Sequence, residues 1–347
     1  MIRSRLPASL GFAALVAGVA VGLAACSRSE PPPGGTQPIR VAYVTNGVDP
    51  FWVIAEAGAL EAAQRLGVQC MVQMPPNGIG DQKQILEDLL ARGVDGIAVS
   101  PIDHVNQTPQ LDKLAARLHL ITHDSDAPQS KRLCFVGMDN YEAGRMVGEL
   151  VREALPQGGK VMLFIGRLEQ DNARLRTRGA IDAILQRPRD DARVLDSEAV
   201  ETVGPFTVLG VRTDQFDKSA AKANAADALT AHQDLAAMVG LFAYNPPAIL
   251  EALRQAGKLG TVKVVGFDES DPTLQGIVDG HVVGTVVQDP YRYGSRSVEI
   301  LVALSKGDRS VLPADGNVLI PARKITRAGV EAFWAEKKQR LAKPDGR

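Results

Sequence analysis

Aromatic side chains are scarce in this sequence, 5% of 347 residues, so the few that stand side by side weigh more than they otherwise would. An excess of one charge is missing too. The formal net charge is −1, with acids and bases mixed along the whole length, and there is no basic stripe of the kind that neutralises phosphates. Nucleic acid is thereby excluded as a partner. Nucleophile motifs such as G-x-S-x-G are absent, and Gly78-Ile79-Gly80 lacks the spacing and the lysine of a phosphate-cradling loop, which leaves it a plain turn. His119 and His123 lack the local context of a zinc-binding helix. An enzyme built on His123-Asp124-Ser125-Asp126, by acid–base chemistry or through a metal, is therefore the weaker reading, and no metal or cofactor is expected.

Cysteine is nearly absent, with three in all. The first closes a leader. Arg3 and Arg5 give a positive start, and residues 10–25 form an apolar stretch too short and too weakly flanked to span a membrane. It ends Leu23-Ala24-Ala25-Cys26, which resembles the lipobox of bacterial lipoproteins, where cleavage precedes the cysteine and its thiol is diacylated. The alternative is an ordinary secreted protein cut at an A-x-A-like site. The expectation is a signal peptide over 1–25, lipidation of Cys26, and a solvated Ser-, Pro- and Gly-rich tether over 26–37. Such a protein is held at a membrane of the cell envelope, outside the cytoplasm. Cys70 and Cys134 lie in apolar strand-like runs, where a free cysteine behaves as a small hydrophobe. A disulfide between them is rejected, because those strands fall at opposite edges of the sheet expected below.

What the sequence does have is a rhythm. Apolar β-rich runs at 39–45, 68–74, 96–100, 118–122 and 133–137 alternate with amphipathic segments at 51–66, 81–92 and 112–117, the first two stopped by Gly67 and Gly93. Helices that end in glycine and lead at once into an apolar run are the β-α-β pattern of a parallel sheet. After a linking helix at 140–155 the pattern repeats, with strands expected at 160–165, 193–199, 237–242, 262–266 and 282–287 and helices at 172–186, 218–231 and 246–256. A further helix at 291–304 and a late strand at 318–320 follow, with a charged tail from 337 that is expected to fray. Two five-stranded α/β units also fit the length, at ~100–200 residues per domain.

In open parallel sheets ligands bind beyond the carboxyl ends of the strands, where loops and helix N-termini converge. The first strand is followed by Thr45-Asn46-Gly47-Val48-Asp49-Pro50-Phe51-Trp52, the third by Ser100-Pro101, and the fourth by His123-Asp124-Ser125-Asp126. In the second unit the corresponding residues are Tyr244-Asn245 and Phe267-Asp268, and the last strand ends at Gln288-Asp289. Each of these ends in an amide, hydroxyl or carboxylate. Such planar groups bracket the vicinal hydroxyls of a polyol, since each hydroxyl both donates and accepts. The C–H face of a sugar ring can lie on an aromatic plane, here Phe51 or Trp52. Taken singly, any of these positions could be a core residue or a helix cap.

Five motifs, in order, carry a resemblance. They are Asp49-Pro50-Phe51-Trp52, Gly93-Val94-Asp95-Gly96-Ile97, Arg176-Thr177-Arg178-Gly179, Val264-Val265-Gly266-Phe267-Asp268 and Gln288-Asp289-Pro290. Together they make the chain, from residue 39 to about 325, resemble the ribose-binding branch of the type I periplasmic sugar-binding proteins. The resemblance implies a fold of two doubly wound parallel-sheet α/β domains joined by a three-strand hinge. It implies domains of 38–138 plus 289–317 and of 139–288 plus 318–347. It puts Asp49, Phe51, Trp52, Ser100 and Asp124 on the ligand from the first domain, and Arg176, Phe216, Asn245, Asp268 and Gln288 from the second and the hinge. The implied function is capture of a monosaccharide or related polyol by a monomer that closes about its hinge and delivers the ligand to the permease of an ABC transporter. Delivery to a chemoreceptor or sensor kinase is the alternative partner. A transcriptional regulator of the same fold would need an N-terminal helix-turn-helix where this chain has its leader.

The chain also departs from that branch. Asp49 and Ser100 stand where asparagine is usual, and Ser125 stands where a second arginine often lies beside the aspartate. Pro246-Pro247 follows Asn245 where an acidic residue is usual, and 200–214 is expected to be an insertion ahead of Phe216. These changes keep a sugar-type site and leave the identity of the sugar open.

Overall fold

The computed structural model describes residues 38–341. The leader, Cys26 and the tether lie outside the described residues. Among the described residues no helix is long and apolar enough to cross a membrane.

The first sheet is built from β1 (Arg40–Val44), β2 (Gln69–Gln73), β3 (Gly96–Val99), β4 (His119–His123), β5 (Phe135–Gly137) and the late β12 (Asn317–Leu319). Its order is β12-β5-β4-β3-β1-β2, parallel throughout. Helices α1 (Pro50–Leu66), α2 (Ile79–Ala91), α3 (Thr108–Ala115) and α9 (Pro290–Ser305) accompany it. The inner strands β1 and β3 are buried along nearly their whole length. That is why they read as continuous apolar runs: a strand covered on both faces has no solvent side to alternate with. Gly67 ends α1 in the left-handed region at φ 66°, its N–H donating to Ala63 O and Gln64 O, and the chain turns directly toward β2.

The second sheet has the order β13-β11-β10-β9-β6-β8-β7. Its strands are β6 (Gly159–Ile165), β7 (Glu201–Val203), β8 (Phe206–Thr213), β9 (Leu235–Gly240), β10 (Lys263–Phe267), β11 (Gly284–Val287) and β13 (Arg323–Thr326). Pairing is parallel except at the two edges, β7 with β8 and β11 with β13. Around it lie α4 (Asn140–Ala154), α5 (Asp171–Ile184), α6 (Lys218–Ala231), α7 (Asn245–Gln255), α8 (Asp271–Val278) and α10 (Val330–Leu341). Helices α4 and α5 touch backbone to backbone. A Cβ on Gly144 would stand 2.0 Å from Arg176 O, and one on Gly179 would stand 2.0 Å from Tyr141 O. This close approach fixes the turn of α5 that carries Arg176.

Four expectations from the sequence are corrected. Residues 193–199 form no strand: Val194 is exposed, and Arg193 instead reaches the buried carboxylate of Asp182. The stretch 200–214 is not an insertion but holds the β7–β8 hairpin, turned at Gly204-Pro205 with Gly204 at φ 57°. Strand β8 then pairs in parallel with β6 on the side away from β9. Third, Val318 and Leu319 belong to the first sheet, because β12 gives the outer side of β5 a hydrogen-bonding partner. The third crossing between the sheets therefore lies after Leu319, not at 317/318. Fourth, the tail is ordered as part of α10 as far as Leu341, with the Lys337 ammonium donating to Glu269 O at 2.6 Å and Asp271 Oδ1 at 2.7 Å. Cys70 and Cys134 are both unbridged, with β1, β3 and β4 between the strands beside them.

Candidate functional site

The carboxyl ends of both sheets border one cleft of about 390 Å³, within the ordinary range for small-molecule sites. Two aspartates sit there in matching positions. Asp124 follows β4 and Asp268 follows β10, with φ of 57° and 64° respectively. This left-handed conformation is uncommon for a side chain other than glycine, although aspartate adopts it more readily than most. Both side chains are almost fully buried.

Asp124 Oδ2 accepts from Ser100 Oγ at 3.2 Å and from Asn172 Nδ2 at 3.0 Å. Burial lifts its pKa to about 6, against the pull of Arg176 and the Ser100 hydroxyl. Asp268 Oδ1 accepts from Gln288 Nε2 at 2.8 Å, and Gln288 in turn accepts from Tyr293 OH at 3.3 Å. Burial lifts Asp268 to about 7, again opposed by Arg176 and by the Gln288 hydrogen bond. Arg176, 1% exposed, is the inner cation. Its guanidinium donates to Leu241 O at 2.8 Å and Asn140 Oδ1 at 2.9 Å and lies 3.7 Å over the Phe267 ring. Burial lowers its pKa, while Asp268 and Asp124 raise it. Its Nε has no hydrogen-bond partner among the described residues.

Aromatic rings wall the cleft on both sides. Phe51 and Trp52 open α1 and meet edge to face at 4.8 Å. Across from them Phe216 stacks on Phe242 at 5.5 Å, beside Tyr244. The second wall is held by one buried carboxylate. Asp214 accepts from Tyr244 OH at 2.5 Å, Phe216 N at 2.9 Å and Asn245 Nδ2 at 2.8 Å. At the lip, Asp49 caps α1 by accepting from Phe51 N at 3.1 Å, and Lys218 lies 3.7 Å from its other oxygen. The Arg167 guanidinium covers Phe216 at 4.9 Å.

Of the residues expected on the ligand, Asp49, Phe51, Trp52, Asp124, Arg176, Phe216, Asp268 and Gln288 border the cleft. Ser100 and Asn245 do not. The Ser100 hydroxyl is spent behind Asp124 and accepts from Asn46 Nδ2 at 3.1 Å. The Asn245 amide is spent on Asp214 and on Phe242 N, which donates to its Oδ1 at 3.0 Å. Both side chains are engaged with neighbouring residues instead. Gln170, Asn172, Arg167, Tyr244 and Asn46, none of them among the residues expected on the ligand, also border the cleft. Asn46 and Tyr244 stood at strand ends and were open to notice; the other three lie on the loop after β6 and at the start of α5, where nothing in the local pattern separates them from ordinary helix-start residues.

Buried carboxylates, an inner guanidinium, free amides and two aromatic walls suit a neutral, hydroxyl-rich ligand with apolar ring faces. Comparison with known proteins points the same way. A family model described as a periplasmic binding protein domain matches residues 41–309. A ribose import binding protein of Salmonella typhimurium is 27% identical over 266 residues, covering 75% of this chain and 82% of that protein. A D-ribose/D-allose-binding protein of Pseudomonas aeruginosa is 26% identical over 301 residues, covering 83% and 88%. The crystal structure of an ABC transporter solute-binding protein from Burkholderia graminis, in complex with D-arabinose, matches with a TM-score of 0.75 at 27% identity, over 84% of this chain and 96% of that one. These relatives are named as binding proteins rather than enzymes. With the match running through both sheets, the chain belongs to the periplasmic binding protein domain family.

Proposed function

We propose that this protein captures a monosaccharide or related polyol between two α/β domains and delivers it to an ABC-type permease, without catalysing a reaction on it. The observation that carries the reading is the pairing of Asp124 and Asp268, one at the end of each sheet, around Arg176 and between aromatic walls. Vicinal hydroxyls satisfy such carboxylates by donating to them and satisfy a guanidinium by accepting from it. The domains are 38–138 with 289–319 and 139–288 with the chain from 323, so the ligand-facing groups are divided between them. Closure about the three crossings then surrounds a ligand that neither domain surrounds alone. The protein acts as a monomer outside the cytoplasm, tied to a membrane through acylated Cys26.

A thermal-shift screen of the mature protein against D-ribose, D-allose, D-arabinose, other monosaccharides and glycerol tests the ligand class. At ~100 times its dissociation constant, a true ligand stabilises by about 2.7 kcal/mol. A flat response to the whole panel would remove the sugar reading. For the anchor, wild-type protein is expected to incorporate labelled fatty acid and Cys26→Ser to lose that label; equal labelling would remove the anchor.

A further inference from the structure

Gln170 stands at the entry to α5, six positions before Arg176. It occupies the N-cap of that helix, yet its side chain caps nothing, and glutamine is not among the residues that cap well. It borders the cleft and is fully buried. Both its amide oxygen and its amide nitrogen find no hydrogen-bond partner among the described residues. An amide buried with both ends unsatisfied costs folding free energy, and an apolar residue of the same shape would fold more favourably there. The loop that carries it is held on both sides. On one side His104 Nδ1 donates to Glu169 O at 2.9 Å; on the other Asn172 Nδ2 donates to Asp124 Oδ2 at 3.0 Å. Both bonds tie the loop that carries Gln170 to residues that follow strands of the first sheet, His104 after β3 and Asp124 after β4. A position poor for capping and costly for folding, held rigidly at the cleft, has its use in binding.

We propose that Gln170 is a specificity-determining ligand contact whose amide oxygen accepts from one ligand hydroxyl while its amide nitrogen donates to the neighbouring one. This rests on the reading of the cleft as a polyol site. One planar amide spans a vicinal pair because each hydroxyl can serve in either role. The site then rejects a ligand lacking one of the two hydroxyls, since that ligand leaves the buried amide half unpaired again.

The test compares wild type with Gln170→Leu, and with Gln170→Met should leucine disturb the packing. Thermal denaturation is run without ligand, and calorimetry with D-ribose, D-allose and D-arabinose and with the monodeoxy analogues of whichever binds, beginning with 2-deoxy-D-ribose. The apolar variants are expected to melt higher than wild type when unliganded and to bind the parent sugar at least ~10-fold more weakly, a loss of about 1.4 kcal/mol. For one monodeoxy analogue their affinity should equal that of wild type. A lower melting point in both variants would make Gln170 structural. Unchanged affinity for the parent sugar, or an equal loss for every analogue, would likewise overturn the contact. Should wild type bind nothing in the full panel of monosaccharides and glycerol, the polyol reading itself falls, and this proposal with it.

Discussion

Removing the Asp268 carboxylate tests the ligand chemistry of the cleft at one of the two buried aspartates that follow its strands. Its backbone is held independently of its side chain, through Asp268 N to Val286 O at 2.8 Å and Thr285 Oγ1 to Asp268 O at 2.8 Å. Among the described residues its side chain receives a single hydrogen bond, from Gln288. A hydrogen bond between a ligand hydroxyl and a carboxylate is worth about 1.5–3 kcal/mol. Asp268→Ala should therefore raise Kd for the bound sugar about 10- to 150-fold. Alanine at φ 64° also carries backbone strain of roughly 1–2 kcal/mol, which Asp268→Asn avoids. Asparagine keeps an acceptor for Gln288 but loses the charge, so a smaller loss of affinity without the backbone strain is expected. Burial lifts the aspartate to about 7, above its value of ~3.9 in the unfolded chain. Ionising it thus costs the wild type stability as pH rises through 7, and the stability of Asp268→Asn relative to wild type should grow over pH 4–7.5. Calorimetry with D-ribose, D-allose and D-arabinose, alongside thermal melts, reads both effects. Wild-type affinity in both variants would refute the assignment of Asp268 to the ligand.

Three further outcomes follow from the same geometry. Hydroxyls that donate to Asp124 and Asp268 favour the ionised forms, so binding should release protons and tighten as pH rises from about 5 to 7.5, levelling once both groups are ionised; calorimetry in buffers of different ionisation enthalpy at pH 6.5 checks this, and proton uptake would contradict it. Asp214→Ala should weaken sugar binding and lower the melting temperature together, because Tyr244, Asn245 and Phe216 lose one common acceptor; a loss in only one of the two would show that the second wall does not depend on it. Small-angle scattering should give a smaller radius of gyration with saturating sugar, and an unchanged radius would mean a preformed site.

Much of the fold could be read in the sequence because parallel strands covered on both faces leave unbroken apolar runs, as β1 and β3 do. Elsewhere that signal is diluted. Gly204-Pro205 interrupts the β7–β8 hairpin and made 200–214 look like an insertion, while Arg193-Val194-Leu195 offered a short apolar decoy whose Val194 faces solvent. Strand β12 misled for another reason: three residues cannot announce which sheet edge they complete. In the cleft, Asp124 and Asp268 were legible because each follows an evident strand directly. Ser100 likewise follows β3 directly and Asn245 opens α7 beyond β9, yet they turn their polar atoms to Asp124 and Asp214. Rotamer and hydrogen-bond direction decide between contacting a ligand and holding its neighbour, and no spacing in the sequence encodes them.

The most direct measurement of the central claim is a crystal structure grown with the sugar that gives the largest thermal shift. The expected result is one sugar in the cleft, its ring between the Phe51–Trp52 and Phe216–Phe242 walls and its hydroxyls on Asp124, Arg176 and Asp268. Sugar bound elsewhere on the protein, with the Asp124 and Asp268 carboxylates untouched, would contradict it.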